Sequence, residues 1–365
     1  MKGYIKRLKR GGLYVFLLMC MFLLAFRSRH VINGLQEAMR MCYQTVIPSL
    51  FPFFVVSGLL VKGGFAHCCA RLLSPIMKPL FSVNGAGALP FVIGLISGYP
   101  MGAGIIAELR KKGMLTKVEA ERLLPFCNNA GPLFVIGAVG GGMLHSVQDG
   151  MFLYGIHGLC ALVVGFFFRF YKRSISPIEE KGVIDGQQHN TFLQTFSESV
   201  SGAVQTMLMV CGYILFFSAV TSVVTPFLNQ LLPTYAAFWI RVVLEVTGGA
   251  FSISKAGFSH RFLLAAMAFC IGTGGLCVMM QVAGLVTQCK VSLKTYAVGK
   301  LLQGVLSAVC VYSLYPFIYS EKVSTFAPFV SHQTTTIMEI MGTCGNLFAL
   351  LACIGLCISV YRIKK

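Results

Sequence analysis

The chain has 365 residues, of which 56% are apolar and only 12% are charged, and its mean hydropathy is +0.76. This composition excludes a soluble domain and predicts an all-α, polytopic membrane protein. A formal net charge of +18 would suggest nucleic-acid binding in a soluble protein, but most basic residues here flank apolar segments. Such residues set orientation and contact anionic lipids, so we expect a lipid bilayer and no nucleic acid as partner.

The N-terminus carries five basic residues within positions 2–10, followed by an apolar run at 13–26. The run ends in Arg27 and Arg29 without a small-x-small cleavage site, which favours an uncleaved first span over a signal peptide. Apolar residues then recur at helical spacing from His30 to Thr45. We predict an amphipathic helix at the membrane interface there.

Apolar segments of sufficient length predict about eight transmembrane helices. They cover approximately residues 13–26, 46–61, 123–144, 151–171, 203–225, 261–287, 298–320 and 338–361. Two further apolar segments, at 88–107 and 235–254, are broken by glycine, proline and polar residues. Breaks at membrane depth expose backbone groups that must meet protein, water or a solute, and a matching pair points to a transport site.

The basic residues favour a topology in which both broken segments are re-entrant and both termini are cytoplasmic. Most lysines and arginines then lie inside, including Lys290, Lys294 and Lys300. In the alternative, both broken segments cross fully, and the basic residues from Arg110 to Arg122 move outside. The re-entrant version predicts an inverted-topology repeat, because its two units start on opposite sides.

Five regions follow from this pattern. They are an N-terminal span and interfacial helix (1–45), a first repeat (46–144), a linking span and cytoplasmic loop (145–202), a second repeat (203–287) and C-terminal helices (288–365). Residues 123–144 and 266–287 share seven identities in 22 aligned positions, which supports the repeat.

The polar residues of the breaks are the candidate substrate-binding groups. Helix N-termini beyond such breaks present unpaired N–H groups that suit a carboxylate. Asn128 and Asn129 add amide donors, and two adjacent amides face different sides of a helix, so one of them needs a partner. The remaining candidates are Ser97, Gly98, Tyr99 and Pro100 in the first break, Thr247 and Gly248 in the second, and Thr273 farther along.

Arg241 and Glu245 are charged residues in the middle of an apolar segment, and their i,i+4 spacing predicts one shared helical face. Two interpretations remain open. The pair neutralises itself against another helix, or Arg241 is a fixed cation for an anionic substrate with Glu245 as its partner or as a proton acceptor.

No constellation for catalysis or metal binding is found in the sequence. The fourteen cysteines are scattered without a C-x-x-C and are interpreted as small core residues, and His157 as a packing histidine. No nucleophile with base, metal-ligand spacing or phosphate-binding loop is present. We expect no enzyme activity, no cofactor and no metal.

The strings GLISGYPMGAG from Gly94 and FCNNAGP from Phe126 resemble the sporulation integral membrane protein YlbJ family, whose members carry the nucleoside recognition or Gate domain. The resemblance covers roughly residues 43–320. It implies a protein of the outer forespore membrane, linked to spore cortex formation and to passage of dipicolinic acid. It also implies these gate residues: Gly94, Ser97, Gly98, Tyr99, Pro100, Gly102, Asn128, Asn129, Gly131 and Pro132.

The leading hypothesis is therefore a transporter of a small anionic solute, with dipicolinic acid as first candidate. Gate domains also occur in concentrative nucleoside transporters and ferrous iron transporters, so a nucleoside or cation-coupled carrier is an alternative. A further alternative is a non-transporting scaffold that binds other sporulation membrane proteins.

Overall fold

The computed structural model describes residues 24–172 and 191–319, together with Tyr14, Val15, Leu18, Met21 and Phe22. The predicted span at 338–361, much of that at 13–26 and most of the cytoplasmic loop lie outside the described residues. The described residues are helical and contain no strand, which confirms the all-α class.

The first half of the fold begins after an N-terminal helix, α1 (Ser28–Met41), and ends with α7. Its elements are α2 (Ile47–Lys62), α3 (Phe65–Phe81), α4 (Ala88–Ser97), α5 (Met101–Lys111), α6 (Lys117–Cys127), a π-helix (Leu133–Met143) and α7 (Val147–Phe168).

The second half repeats this order, except that it lacks a counterpart of α3. Its elements are α8 (Phe192–Leu231), α9 (Thr234–Leu244), α10 (Val246–Ser254), α11 (His260–Thr273), α12 (Gly275–Val286) and α13 (Leu293–Ile318). In each half, one helix is followed by two pairs of helices, each pair separated by a break, and then by a long helix. The pairs are α4 with α5 and α6 with the π-helix in the first half, and α9 with α10 and α11 with α12 in the second. The order of elements therefore agrees with the predicted repeat.

Four continuous apolar stretches among the described residues are long enough to cross a membrane: α7, α8, His260–Cys289 and α13. They coincide with the spans predicted at 151–171, 203–225, 261–287 and 298–320. The predicted span at 46–61 is a shorter helix, and that at 123–144 is divided between α6 and the π-helix. The full count of eight spans is not reproduced among the described residues.

Helix α3 was not predicted. No predicted span or broken segment covers Phe65–Phe81, which is a helix with Pro75 and Pro79 inside it. Its C-terminal part, Arg71–Phe81, forms an apolar pair with Gly85–Ser97 that bends by 88°. The two prolines and interspersed basic residues concealed the helical pattern, since proline disfavours a helix interior.

Both segments predicted to be broken fold back on themselves. A Cβ added to Gly94 on α4 would lie 3.3 Å from Cα of Gly102 on α5, eight residues later. A Cβ added to Gly249 on α10 would lie 2.9 Å from Cα of Val242 on α9. Residues so far apart in sequence cannot touch along one straight helix, which rises 1.5 Å per residue. The segments are hairpins, as the re-entrant prediction requires.

Extensive packing joins the two halves. Helix α13 packs against α11 of its own half and against α6 and α7 of the first, while α2 packs against α8. At one end, the buried carboxylate of Asp149 on α7 lies 3.0 Å from Nε2 of His260 on α11 and also accepts a hydrogen bond from Tyr319. The main apolar core contains residues from both halves.

Candidate functional site

The breaks of the first half touch each other. Gly98, between α4 and α5, has φ +84°, a conformation that favours glycine. A Cβ added there would lie 2.9 Å from the backbone nitrogen of Gly131, in the break between α6 and the π-helix. A larger residue at Gly98 would therefore be strained and would separate the two breaks.

The breaks of the second half meet in the same way and reach those of the first. A Cβ added to Gly275 would lie 3.1 Å from the Val243 carbonyl oxygen and 3.5 Å from the Glu245 nitrogen. A Cβ added to the neighbouring Gly274 would lie 3.7 Å from Cε1 of Tyr99. Tyr99 therefore extends from the first half to the break between α11 and α12.

A cavity of about 90 Å³ lies where these breaks converge. Space for one water molecule requires about 10–15 Å³, so several fit. Its wall is mainly apolar, with a few polar groups that converge on it, a composition typical of solute sites. Five of the predicted site residues line it: Ser97, Gly98, Tyr99, Glu245 and Thr247. Gln281 of α12 also lines it and was not predicted.

The hydroxyl of Tyr99 is a buried polar group in the cavity wall without a hydrogen-bond partner among the described residues. Buried polar atoms in proteins are nearly always paired, so such a hydroxyl calls for an explanation. Ser97 beside it is only weakly engaged, because its hydroxyl lies 3.4 Å from that of Ser57. Both residues line the cavity, and neither hydroxyl makes a strong hydrogen bond within the described protein.

Glu245 has a different role from the predicted one. The chain is extended at this residue, and its carboxylate accepts hydrogen bonds from the backbone nitrogens of Thr247 (2.9 Å) and Gly248 (2.6 Å), which caps α10. Arg241 lies in the last turn of α9, on the other side of the break. The two side chains, both described, form no ion pair, so the prediction of a shared helical face was wrong. The i,i+4 rule requires a continuous helix.

Asn128 and Asn129 do not line the cavity but belong to a buried polar cluster behind the first break. Each is fully buried. Nδ2 of Asn128 donates to the Tyr296 hydroxyl at 2.8 Å, and Oδ1 of Asn129 accepts from Gln303 Nε2 at 3.0 Å. The cluster consists of Asn128, Asn129, His157, Tyr296, Lys300 and Gln303.

His157 and Gln303 stabilise the break between α6 and the π-helix. Nε2 of His157 accepts a hydrogen bond from the Ala130 nitrogen at 3.2 Å, which satisfies an N–H that the interrupted helix leaves free. Gln303 donates to the His157 carbonyl oxygen at 3.2 Å. His157 is therefore a satisfied buried histidine, as expected, but it supports the break rather than apolar packing alone.

Lys300 is the residue that sequence reasoning misplaced. We expected it in a cytoplasmic segment, but it lies in α13 and is only 3% exposed. The error arose because the predicted span began at residue 298, where a lysine resembles a flanking charge. Helix α13 begins five residues earlier, at Leu293. The spacing Lys300-x-x-Gln303 on one face of an apolar helix was the available signal.

The remaining predicted residues lie outside the cavity wall. Thr273 donates to carbonyl oxygens of its own helix, at 3.0 Å from Phe269 and 3.1 Å from Cys270. Pro100, Gly248 and Arg241 do not line the cavity. The first break and Glu245–Thr247 are thus brought together, whereas Arg241 and Thr273 are not.

Comparisons with known proteins identify relatives of the chain. The Gate family model, described as nucleoside recognition, matches residues 44–144, which include both breaks of the first half. The sporulation integral membrane protein YlbJ of Bacillus subtilis (strain 168) is 31% identical over 316 residues, covering 78% of each chain.

The chain belongs to the YlbJ family. It is an integral membrane protein, with apolar helices that place it in a lipid bilayer. No solved structure matches it.

Proposed function

We propose that this chain is a membrane transporter that moves a small anionic solute through the cavity between its helix breaks. One observation carries the proposal: the breaks of both halves converge on that cavity. Interrupted helices in corresponding repeats, with a site at their interface, are the usual architecture of secondary transporters. Rocking of one half against the other would expose the cavity alternately to the two sides.

The charges near the breaks support an anionic solute. Glu245 is the charged residue in the cavity wall, but two backbone N–H groups at the positive end of α10 already bind its carboxylate. Lys300 is a buried cation with no ion-pair partner among the described residues. Because these N–H groups compensate the Glu245 carboxylate, it does not bar an anionic solute from the cavity, and Lys300 adds a positive charge to the protein around the breaks.

Dipicolinic acid is the substrate we propose, and sporulation the setting. The relative is named a sporulation integral membrane protein. The resemblance of this chain to the family suggests that it acts in the outer forespore membrane and in spore cortex formation. Dipicolinate is a flat, small anion, which suits a narrow, mainly apolar cavity with a few polar groups in its wall. In this proposal the chain transports its solute without catalysing a reaction. Its protein partners are other sporulation membrane proteins.

A nucleoside or cation-coupled transporter is the second candidate, and two observations favour it. The matching family model is described as nucleoside recognition. Glu245 also places a carboxylate in the cavity wall, where it would attract a cation or accept hydrogen bonds from a neutral solute.

Uptake of labelled dipicolinate into proteoliposomes containing the purified chain tests the proposal. Tyr99→Phe removes the unpartnered hydroxyl from the cavity wall and breaks no hydrogen bond to protein. A hydrogen bond to a charged group contributes about 1.5–3 kcal/mol, so we expect the half-saturating concentration to rise by about tenfold or more. The matched control, Tyr154→Phe, removes a hydroxyl that donates to Leu95 outside the cavity and should leave that concentration unchanged.

The result that would overturn the proposal is an absence of saturable uptake in either direction across an imposed gradient. Equal effects of Tyr99→Phe and Tyr154→Phe would remove the cavity from the transport path. Competition by nucleosides, but not by unlabelled dipicolinate, would favour the second candidate.

A further inference from the structure

Lys300 occupies an unusual position for a charged side chain, at the end of an interrupted helix. Its Nζ donates to the backbone oxygen of Asn128 at 2.9 Å and to Oε1 of Gln303 at 2.6 Å. Asn128 is the residue at which α6 ends, so its carbonyl is freed by the break and lies at the negative end of the helix. The ammonium is therefore held by neutral oxygens rather than by a carboxylate.

A third oxygen of this site has no partner. Oδ1 of Asn128 is buried and accepts no hydrogen bond from the described residues, although the residue is fully buried. Two oxygens, a freed main-chain carbonyl and a glutamine amide oxygen, surround the ammonium, and the unpartnered amide oxygen belongs to the residue that supplies the first of them. Half-helix C-terminal ends and unwound carbonyls are the groups that coordinate coupling cations such as Na⁺ in transporters.

The surrounding hydrogen bonds orient the Gln303 oxygen toward the ammonium. Nε2 of Gln303 donates to Oδ1 of Asn129 and to the His157 carbonyl oxygen, so its Oε1 faces Lys300. Nδ2 of Asn129 donates to the Phe126 carbonyl oxygen at 2.6 Å, which fixes that amide in turn. The oxygens are fixed by hydrogen bonds of their own, as expected of a preorganised cation site.

We propose that the ammonium of Lys300 is a built-in monovalent cation that takes the place of a free alkali cation at this break. The site then needs no Na⁺ or K⁺ to offset the negative end of α6. A neutral, smaller residue at position 300 would leave the oxygen lining open to an alkali cation. The transport consequence, that solute movement is independent of Na⁺, rests on the proposed function, whereas the binding consequence does not.

Thermal unfolding of the purified full-length chain in NaCl, KCl or choline chloride of equal ionic strength tests the binding consequence. The melting temperature of the wild type should be the same in the three salts. Lys300→Ala should melt lower in choline and should recover progressively as Na⁺ or K⁺ is added, as mass action requires for a ligand of the folded state. Lys300→Met, which fills the space without charge, should remain insensitive to the cation.

Two results would overturn this inference. One is a wild-type melting temperature that rises with Na⁺ relative to choline. The other is a folded Lys300→Ala chain that responds to neither alkali cation. If Lys300→Ala does not fold, binding of radioactive Na⁺ to the wild type decides the matter, since saturable binding contradicts the proposal and its absence supports it.

Uptake supplies the second test. Replacing Na⁺ by choline on both sides of the proteoliposome membrane should leave the wild-type rate unchanged, and a loss of about tenfold would contradict a built-in cation. If no solute is taken up in either salt, the proposed function fails. The melting experiments still decide the role of Lys300.

Discussion

One of the tightest contacts near the candidate site makes a quantitative prediction. Gly102, at the start of α5, packs against the end of α6, and a Cβ added there would lie 1.8 Å from the Cys127 carbonyl oxygen and 2.6 Å from its carbon. An ordinary C···O contact is about 3.3 Å, so the hairpin and the break must separate by about 1.5 Å in Gly102→Ala. The obstructing atoms are backbone, which cannot rotate away.

The expected cost follows from overpacking. Extra methylenes in a packed core lower the stability of the folded protein by about 1–3 kcal/mol. Because Gly102→Ala must displace backbone atoms, we expect its cost at the upper end of that range. Gly104, two residues farther along α5, is the matched control, because its added Cβ would meet only Leu285 Cδ1 at 3.9 Å. Gly104→Ala should stabilise by about 0.5–1 kcal/mol, the usual helical preference for alanine over glycine.

Thermal unfolding in detergent, followed by a dye that reacts with thiols as buried cysteines become exposed, measures the difference. About 2 °C per kcal/mol is expected for a large chain, so Gly102→Ala should melt several degrees below the wild type and Gly104→Ala slightly above it. Two variants that both melt at or above the wild-type temperature would refute the close contact between α5 and the break.

Three further outcomes are expected in the same assay. Glu245→Ala removes the cap of α10 and should lower the stability of the folded protein by about 0.5–2 kcal/mol. Glu245→Gln keeps one acceptor oxygen and should lose less stability. Equal losses in the two variants would contradict the capping role. Gly272→Ala should destabilise because its Cβ would lie 2.6 Å from the Gly304 Cα, whereas Gly212→Ala, with open space around it, should not. Asp149→Ala should cost about 1–3 kcal/mol by leaving His260 and Tyr319 without their shared partner, and an unchanged melting temperature would show that this contact contributes nothing.

The breaks themselves could be predicted because they depend on local chemistry. Glycine, proline and polar residues in an apolar segment interrupt a helix wherever they occur, and both hairpins were placed correctly on that ground. The contact between Gly98 and Gly131 was beyond such reasoning, because it depends on how separate segments pack. The same limit applies to Tyr99, which was predicted as a site residue but not as a link between the halves.

The errors have physical causes that differ from one residue to the next. The predicted pair of Arg241 and Glu245 assumed that the helix continues through residue 245, where it ends. Lys300 was interpreted as a flanking charge because hydropathy alone does not show where α13 begins. In both cases the position of a helix boundary, the least certain feature of a sequence-based prediction, decided the role of a charged side chain.

Two of the buried charges, Glu245 and Lys300, follow one electrostatic rule, although they come from different elements. Glu245 places a carboxylate at the positive end of α10, and Lys300 places an ammonium at the negative end of α6. Each of these two breaks is thus matched by a charge opposite to that of the exposed helix end. In the first half this charge is supplied by α13 of the second half, which accounts for the close packing of α13 against α6. The halves share an order of elements but not a charge pattern, so motion of one against the other would change the environment of Lys300 more than that of Glu245, whose partners lie in its own hairpin.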